Sequence, residues 1–276
     1  MNKIQVYVFH TGKVRVDKAI PLHERNPLAL TGIFRGKKNQ MILPVSVYLI
    51  RHPKGNIMID TGWDTKYAHE KPKRLFGMVN KVSAPIVNEN EGADSKLRSI
   101  GMSASDIDGL FISHMDFDHT SGIRLVKEIQ KIYTSAEEWE ACNKFSFRYV
   151  DTWSGICDIK TFSYQKSGIG PVGKSYDVFG DSSVLLVNTP GHSRGHFSVK
   201  IKGADGYIIL GGDAAYLPES FSQHRIPGFS VDNSLSERSL DWLIKCKSDP
   251  DCKGVFVNHD PTVKEQMLEV IYNGNS

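Results

Sequence analysis

Apolar and polar positions alternate from Ile4 to Phe9, and again through Leu43–Arg51 and Asn56–Asp60, the two-residue period of half-buried strands. The turn residues His52-Pro-Lys-Gly55 join the last two runs into a hairpin that ends on Asp60-Thr-Gly62. Between these strands, Ile20 to Gln40 mixes Pro, Gly and basic residues without a period, which predicts an irregular loop beside an opening. Residues 63 to 95 are polar and broken by Pro72, Pro85 and Gly92, the pattern of a mobile or partner-facing segment. A short helix over Ser95–Ser99 and a second cap at Ser103–Asp106 lead into the apolar strand Gly109–Ser113. That strand is followed by a helix capped near Ser121.

After Ile132-Tyr133 and a helix over Ala136–Asn143, residues 144 to 180 are rich in Gly, Ser and aromatics and predict antiparallel strands. The second half repeats one theme, an apolar strand running into a polar loop. Val184–Asn188 enters Thr189-Pro-Gly-His192, Phe197–Ile201 precedes Tyr207–Leu210 and its loop Gly211-Gly-Asp213, and Val255–Asn258 enters His259-Asp260. Helices are expected from about 234 to 247 and 261 to 272. Strand-rich halves with helices between them predict an α/β chain of two stacked sheets covered by helices, in one domain over residues 1–276.

Composition changes this picture little. With 276 residues, 40% hydrophobic and 24% charged, the chain has the balance of a globular protein with a sizeable core. The net charge of +3 is mild and dispersed, which argues against nucleic acid as a partner. No run approaches the ~18 apolar residues of a membrane span, and the N-terminus lacks a secretory pattern. Four cysteines without a CxxC pair read as thiols of a reducing compartment, so the expected location is cytoplasmic.

The chemistry concentrates at strand ends. His114-Met-Asp116-Phe-Asp118-His119 crowds two imidazoles and two carboxylates into six residues. Nitrogen and oxygen donors together suit Zn, Fe or Mn better than Ca or Mg. Taken alone, the segment also fits a solvated loop capping a helix. His192 follows a Pro-Gly turn, Asp213 follows two glycines, and His259 follows a strand, so ligand-type residues gather along one sheet edge. His10, His23, His52, His69 and His224 have no such context and read as surface or loop residues. His196 reads as a hydrogen-bonding neighbour of the site, and Trp63 as an aromatic that packs or lines it.

The order Asp-Thr-Gly, HxxxDH, Thr-Pro-Gly-His, Gly-Asp and Asn-His-Asp resembles the metallo-β-lactamase superfamily over nearly the whole chain. Within it the sequence is most similar to the N-acyl-homoserine-lactone lactonases, in Leu43-Pro-Val-Ser-Val-Tyr48, Asp60-Thr-Gly62, Thr189–His196 and Asp213-Ala-Ala-Tyr216. The resemblance implies a four-layer αββα sandwich and a quorum-quenching hydrolase with two divalent ions, zinc first among them. It implies His114, Asp116 and His192 on one ion, Asp118, His119 and His259 on the other, Asp213 between them, and Asp60 behind them as an organiser. It also implies a bridging hydroxide that attacks a lactone or small ester, with Tyr216 hydrogen-bonded to the carbonyl oxygen and Asp118 moving a proton.

One position departs from the family pattern, which has a second His where this chain has Asp116. Asp116 either ligates directly and favours Fe or Mn, or falls short and leaves one ion weakly held, or bonds a neighbour while one ion suffices. Direct ligation is favoured, because a buried carboxylate needs a compensating cation. Phosphodiesterase or nuclease activity, a di-iron protein and a regulatory protein with a crippled site are the alternatives. Leu28, Leu30, Ile33, Phe34, Leu75, Phe76 and Met78 would serve equally as an acyl groove or a homodimer contact.

Overall fold

The computed structural model describes residues 3–26, 28–31, 35–70, 83–144 and 148–272. Two sheets face each other. The first contains β1 (Lys3–Asp17), β2 (Gln40–His52), β3 (Gly55–Ile59), β5 (Gly109–Phe111), β6 (Ile132–Ser135) and β7 (Ile159–Phe162) in that order, with β14 (Gln266–Ile271) outside β1 and β4 (Ser83–Ile86) also paired to β1. The second runs β13 (Cys252–Val257), β12 (Gly206–Gly212), β11 (Phe197–Gly203), β10 (Val184–Asn188), β9 (Lys174–Asp177), β8 (Gln165–Lys166).

Strand alternation sorts the side chains into three apolar layers. Ile4, Val6, Val8, Tyr48, Ile50, Ile57 and Ile59 point from the first sheet toward Leu186, Val199, Ile201, Ile208 and Leu210 of the second, forming the core between sheets. The intervening residues Phe9, Val47, Leu49 and Met58 point the other way and meet Leu97 of helix α1 (Ala93–Ser99) with Ile123 and Val126. On the far side, Tyr207 and Ile209 of β12 pack under Leu240 and Leu243 of helix α4 (Asn233–Lys247). The αββα layering read from the sequence is therefore present.

Three local expectations change. The helix expected over 261–272 is instead β14, whose residues 266–271 pair with Lys3–Val8 along the open edge of β1; long-range pairing overrides local helix propensity there. The aromatic-rich stretch yields an antiparallel β8–β9 pair, but β7 runs parallel to β6. His52 is buried and stacked 4.0 Å from Phe179, so it is not a surface residue, while His10 is half-buried in β1 and bonds Ser46 and Val263. Among its described residues, the segment 20–40 carries turns and two short 3-10 helices, Ala29–Thr31 and Lys37–Asn39, before β2 begins at Gln40, as expected of a loop. Ile33, Phe34, Leu75, Phe76 and Met78 lie outside the described residues. Among the described residues no helix is long and apolar enough to cross a membrane.

Candidate metal centre

Loops at one rim of the two sheets bring together the candidate ligands. After β5, Asp116 occupies the N-terminal boundary of the short helix α2 (Phe117–Thr120) without a side-chain cap bond, and the helix places Asp118 and His119 one turn from His114. Gly191, at φ 133°, makes the turn that presents His192, and a Cβ there would meet the Ser236 backbone at 2.3 Å. Gly212, at φ 55°, does the same for Asp213, where a Cβ would strike His196.

Asp213 stands in the middle. Its Oδ2 lies 3.7 Å from His114 Nε2, 3.6 Å from His192 Nε2 and 3.4 Å from His259 Nε2, and its Oδ1 lies 3.6 Å from His119 Nε2. His259 Nε2 is also 3.6 Å from Asp118 Oδ2. These separations are too long for hydrogen bonds. They match two ligands that share a tetrahedral ion, each about 2.1 Å from it and so about 3.4 Å apart. Asp213 Oδ1 is buried without a hydrogen-bond partner, a costly state for a carboxylate unless a cation meets it. Three triads have donor atoms within 4.8 Å of one another: His114, Asp116 and His192; Asp118, His119 and His259; and His114, His119 and Asp213. The donor set fits divalent ions.

The surrounding residues orient these donors. Asp60, in left-handed backbone at φ 61°, accepts from the Ser113 amide at 2.7 Å, from Ser113 Oγ at 2.7 Å and from His119 Nδ1 at 2.8 Å. His259 Nδ1 donates to the Pro44 carbonyl at 2.8 Å, and Ser46 Oγ donates to the Asn258 carbonyl at 2.7 Å. The Leu43–Tyr48 motif thus braces the last histidine loop. His196 receives the Asp213 amide on Nε2 at 3.0 Å and contacts Thr189 through Nδ1, which makes it a neighbour of the site. Trp63 lies in the core under the site, edge-on to Phe117 and donating to the Lys13 carbonyl.

Burial and neighbouring charge set the proton affinities. Burial, then the His119 charge, holds His114 well below the ordinary imidazole value. Burial alone would also lower His119, but Asp60 and Asp213 raise it well above that value. Burial raises Asp118, whereas the facing histidines overcome burial at Asp213 and hold it low. Tyr216, buried and stacked on His259 at 4.8 Å, is raised by burial and then by Asp213, so its hydroxyl keeps its proton.

Two residues were missed in the sequence. Arg148 donates from Nε to Asp116 Oδ1 at 2.8 Å and from Nη2 to Asp116 Oδ2 at 2.7 Å, and from Nη1 to the His192 carbonyl at 2.8 Å. Burial would raise Asp116, but the Arg148 charge holds it well below the carboxylate range. The cation that a buried Asp116 needs is therefore supplied by the chain itself, which removes the reason for favouring direct ligation. Glu138, on helix α3 (Ala136–Lys144) and fully buried, accepts from the Met115 amide, Tyr149 Oη, Ser193 Oγ and the Gly195 amide, tying three site loops together. Neither residue stands in a motif, and no local signal marked them.

Residues 42–251 match the family model of the metallo-beta-lactamase superfamily. The chain belongs to the metallo-β-lactamase superfamily. As a member, it is 28% identical over 225 residues to an N-acyl homoserine lactonase of Bacillus cereus, covering 80% of this chain and 83% of that one. It is 26% identical over 226 residues to N-acyl homoserine lactonase AttM of Azorhizobium caulinodans, covering 79% and 82%. In fold this superfamily member is similar to an N-acyl homoserine lactone hydrolase with N-hexanoyl-L-homoserine bound at its catalytic metal centre, with TM-score 0.74, 24% identity and 95% of each chain covered. It is also similar to AidC, a dizinc quorum-quenching lactonase, with TM-score 0.65, 15% identity and coverage of 99% and 96%.

Proposed function

We propose that this superfamily member is a metal-dependent lactonase that opens an acylated lactone or related small ester, with N-acyl homoserine lactones as the leading substrates. The observation that carries this is Asp213, with its unpartnered Oδ1, set among four imidazoles whose Nε2 atoms lie within 3.7 Å. His114, Asp116 and His192 form one metal position, Asp118, His119 and His259 the other, and Asp213 serves both. Zinc is the leading ion; a hard carboxylate at 116 leaves iron or manganese as alternatives. When bound, the ions supply an activated water and polarise the substrate carbonyl.

The chain's own groups do the rest. Tyr216, held protonated and fixed against His259, donates its hydroxyl to the oxygen that gains charge. Asp118 has the most exposed side chain of the carboxylates in the centre, 20%, and sits where a proton passes to the departing alkoxide. The rim aromatic Phe229, exposed beside His192, offers apolar contact to an acyl group. The carboxylate at 116 was the reason to consider di-iron chemistry, and its pairing with Arg148 weakens that reason. Four free cysteines are consistent with a reducing, cytoplasmic compartment.

Hydrolysis is tested by mass spectrometry of the product made in ¹⁸O-water from N-acyl homoserine lactones. A ring-opened acid carrying one ¹⁸O supports the reading. Unchanged lactone with metal bound, alongside cleavage of a phosphodiester, transfers the activity to the phosphodiesterase class.

A further inference from the structure

The two metal positions are unlike in charge and in bracing. Among the described residues Asp60, Asp118 and Asp213 are ion-paired only with histidines and with no Lys or Arg, so the position at Asp118, His119 and His259 has no permanent cation beside it. The position at His114, Asp116 and His192 already contains a cation. Arg148 covers both Asp116 oxygens, and its Nη2 lies 3.1 Å from His192 Nε2, the atom aimed at Asp213. The Arg148 side chain is only 6% exposed, and its guanidinium lies over the Phe229 ring at 4.6 Å.

His192 is committed in either tautomer. Unprotonated, Nε2 accepts from Arg148; protonated, it donates to Asp116 Oδ2 at 3.1 Å. Its Nδ1 is buried with no partner, whereas the Nδ1 atoms of His114, His119 and His259 are met by Ser113 Oγ, Asp60 and the Pro44 carbonyl. A ligating histidine ordinarily has such a partner to fix its tautomer. At the other position His119 Nε2 lies 3.3 Å from the neutral Asn258 amide and faces Asp213 Oδ1 at 3.6 Å, with no guanidinium against it.

We propose that Arg148 acts as a tethered cation competing with the ion at His114, Asp116 and His192, so the chain holds one divalent ion firmly at Asp118, His119, His259 and Asp213 and a second one weakly. This rests on the metal-binding reading above and deepens it: the Asp116–Arg148 pair sets metal stoichiometry.

The test is elemental analysis of zinc-loaded protein dialysed against graded chelator, with zinc chloride as the only metal. The wild type is expected to fall to a plateau of one zinc per chain before losing the last. Arg148→Met should retain the second zinc to chelator concentrations about tenfold higher or more, equivalent to ~1.4 kcal/mol of relieved competition. Arg148→Lys, which keeps the charge, should retain the plateau. Loss of both ions together from the wild type overturns the inference while leaving the metal centre intact, and needs no variant to fold. Unchanged retention in folded Arg148→Met overturns the role of Arg148. A wild type that binds no zinc overturns the metal-centre reading itself.

Discussion

Arg148 grips both carboxylate oxygens of Asp116, at 2.8 and 2.7 Å, from a position 32 residues further along the chain. The pair carries no net charge, but both carboxylate oxygens are taken up by the guanidinium, whose Nη2 faces His192 Nε2 at 3.1 Å. An unpaired Asp116 would be a buried anion beside Asp118 and Asp213; paired, it is a fixed, polarised acceptor.

Tyr216→Phe removes one hydroxyl beside the centre and leaves the ring stacked on His259. Turnover should fall by about 10²-fold, the effect of deleting one donor to a developing oxyanion. Metal content by elemental analysis should not change. Loss of metal instead would remove Tyr216 from its assigned role.

Asp60→Asn keeps a residue type that tolerates the φ of 61° but removes the charge behind His119 and one of the oxygens that orient Ser113 and His119. Metal affinity should weaken by about 10- to 100-fold. A competition titration with a chromophoric chelator measures it, and unchanged affinity would make Asp60 a purely structural residue.

Glu138→Leu leaves four donors facing an apolar side chain: the amides of Met115 and Gly195 and the hydroxyls of Ser193 and Tyr149. The expected loss is about 3 kcal/mol or more of unfolding free energy in urea titration, because the donors are left buried and unpaired. Glu138→Gln, which still accepts through one oxygen, should lose less.

His196 gives the fold a pH dependence. Burial, then the His192 ring, holds its imidazole down to about 3, from the ordinary 6.5. Between those values the unfolded chain binds a proton that the folded chain refuses, so this group makes stability rise with pH up to 6.5 and fall as the solution is acidified below it. Urea midpoints measured in chelator at several pH values should show this decline. His196→Gln, which still accepts the Asp213 amide, should flatten it.

The sequence shows the fold where period and burial agree. Ile4, Val6 and Val8 alternate because one face of β1 meets the second sheet, and that is visible locally. Gln266–Ile271 looked helical because its strand state depends on an edge supplied some 260 residues earlier. The seven candidate donors could be picked out because they follow apolar strands or sharp turns and because their order resembles a family pattern, and the structure brings them together. Arg148 and Glu138 were not. Their roles come from contacts with Asp116, Met115, Ser193 and Gly195, and nothing in the residues beside them distinguishes a buried charge from a solvated one.

The central claim, metal-dependent lactone opening at this cluster, is tested most directly by acid release from N-acyl homoserine lactones of several acyl lengths in a pH-indicator assay. Zinc-loaded protein should release one proton for each lactone opened, chelator should abolish the release, and restored zinc should return it. Protein with its metal bound that releases no acid from any of these lactones would contradict the account.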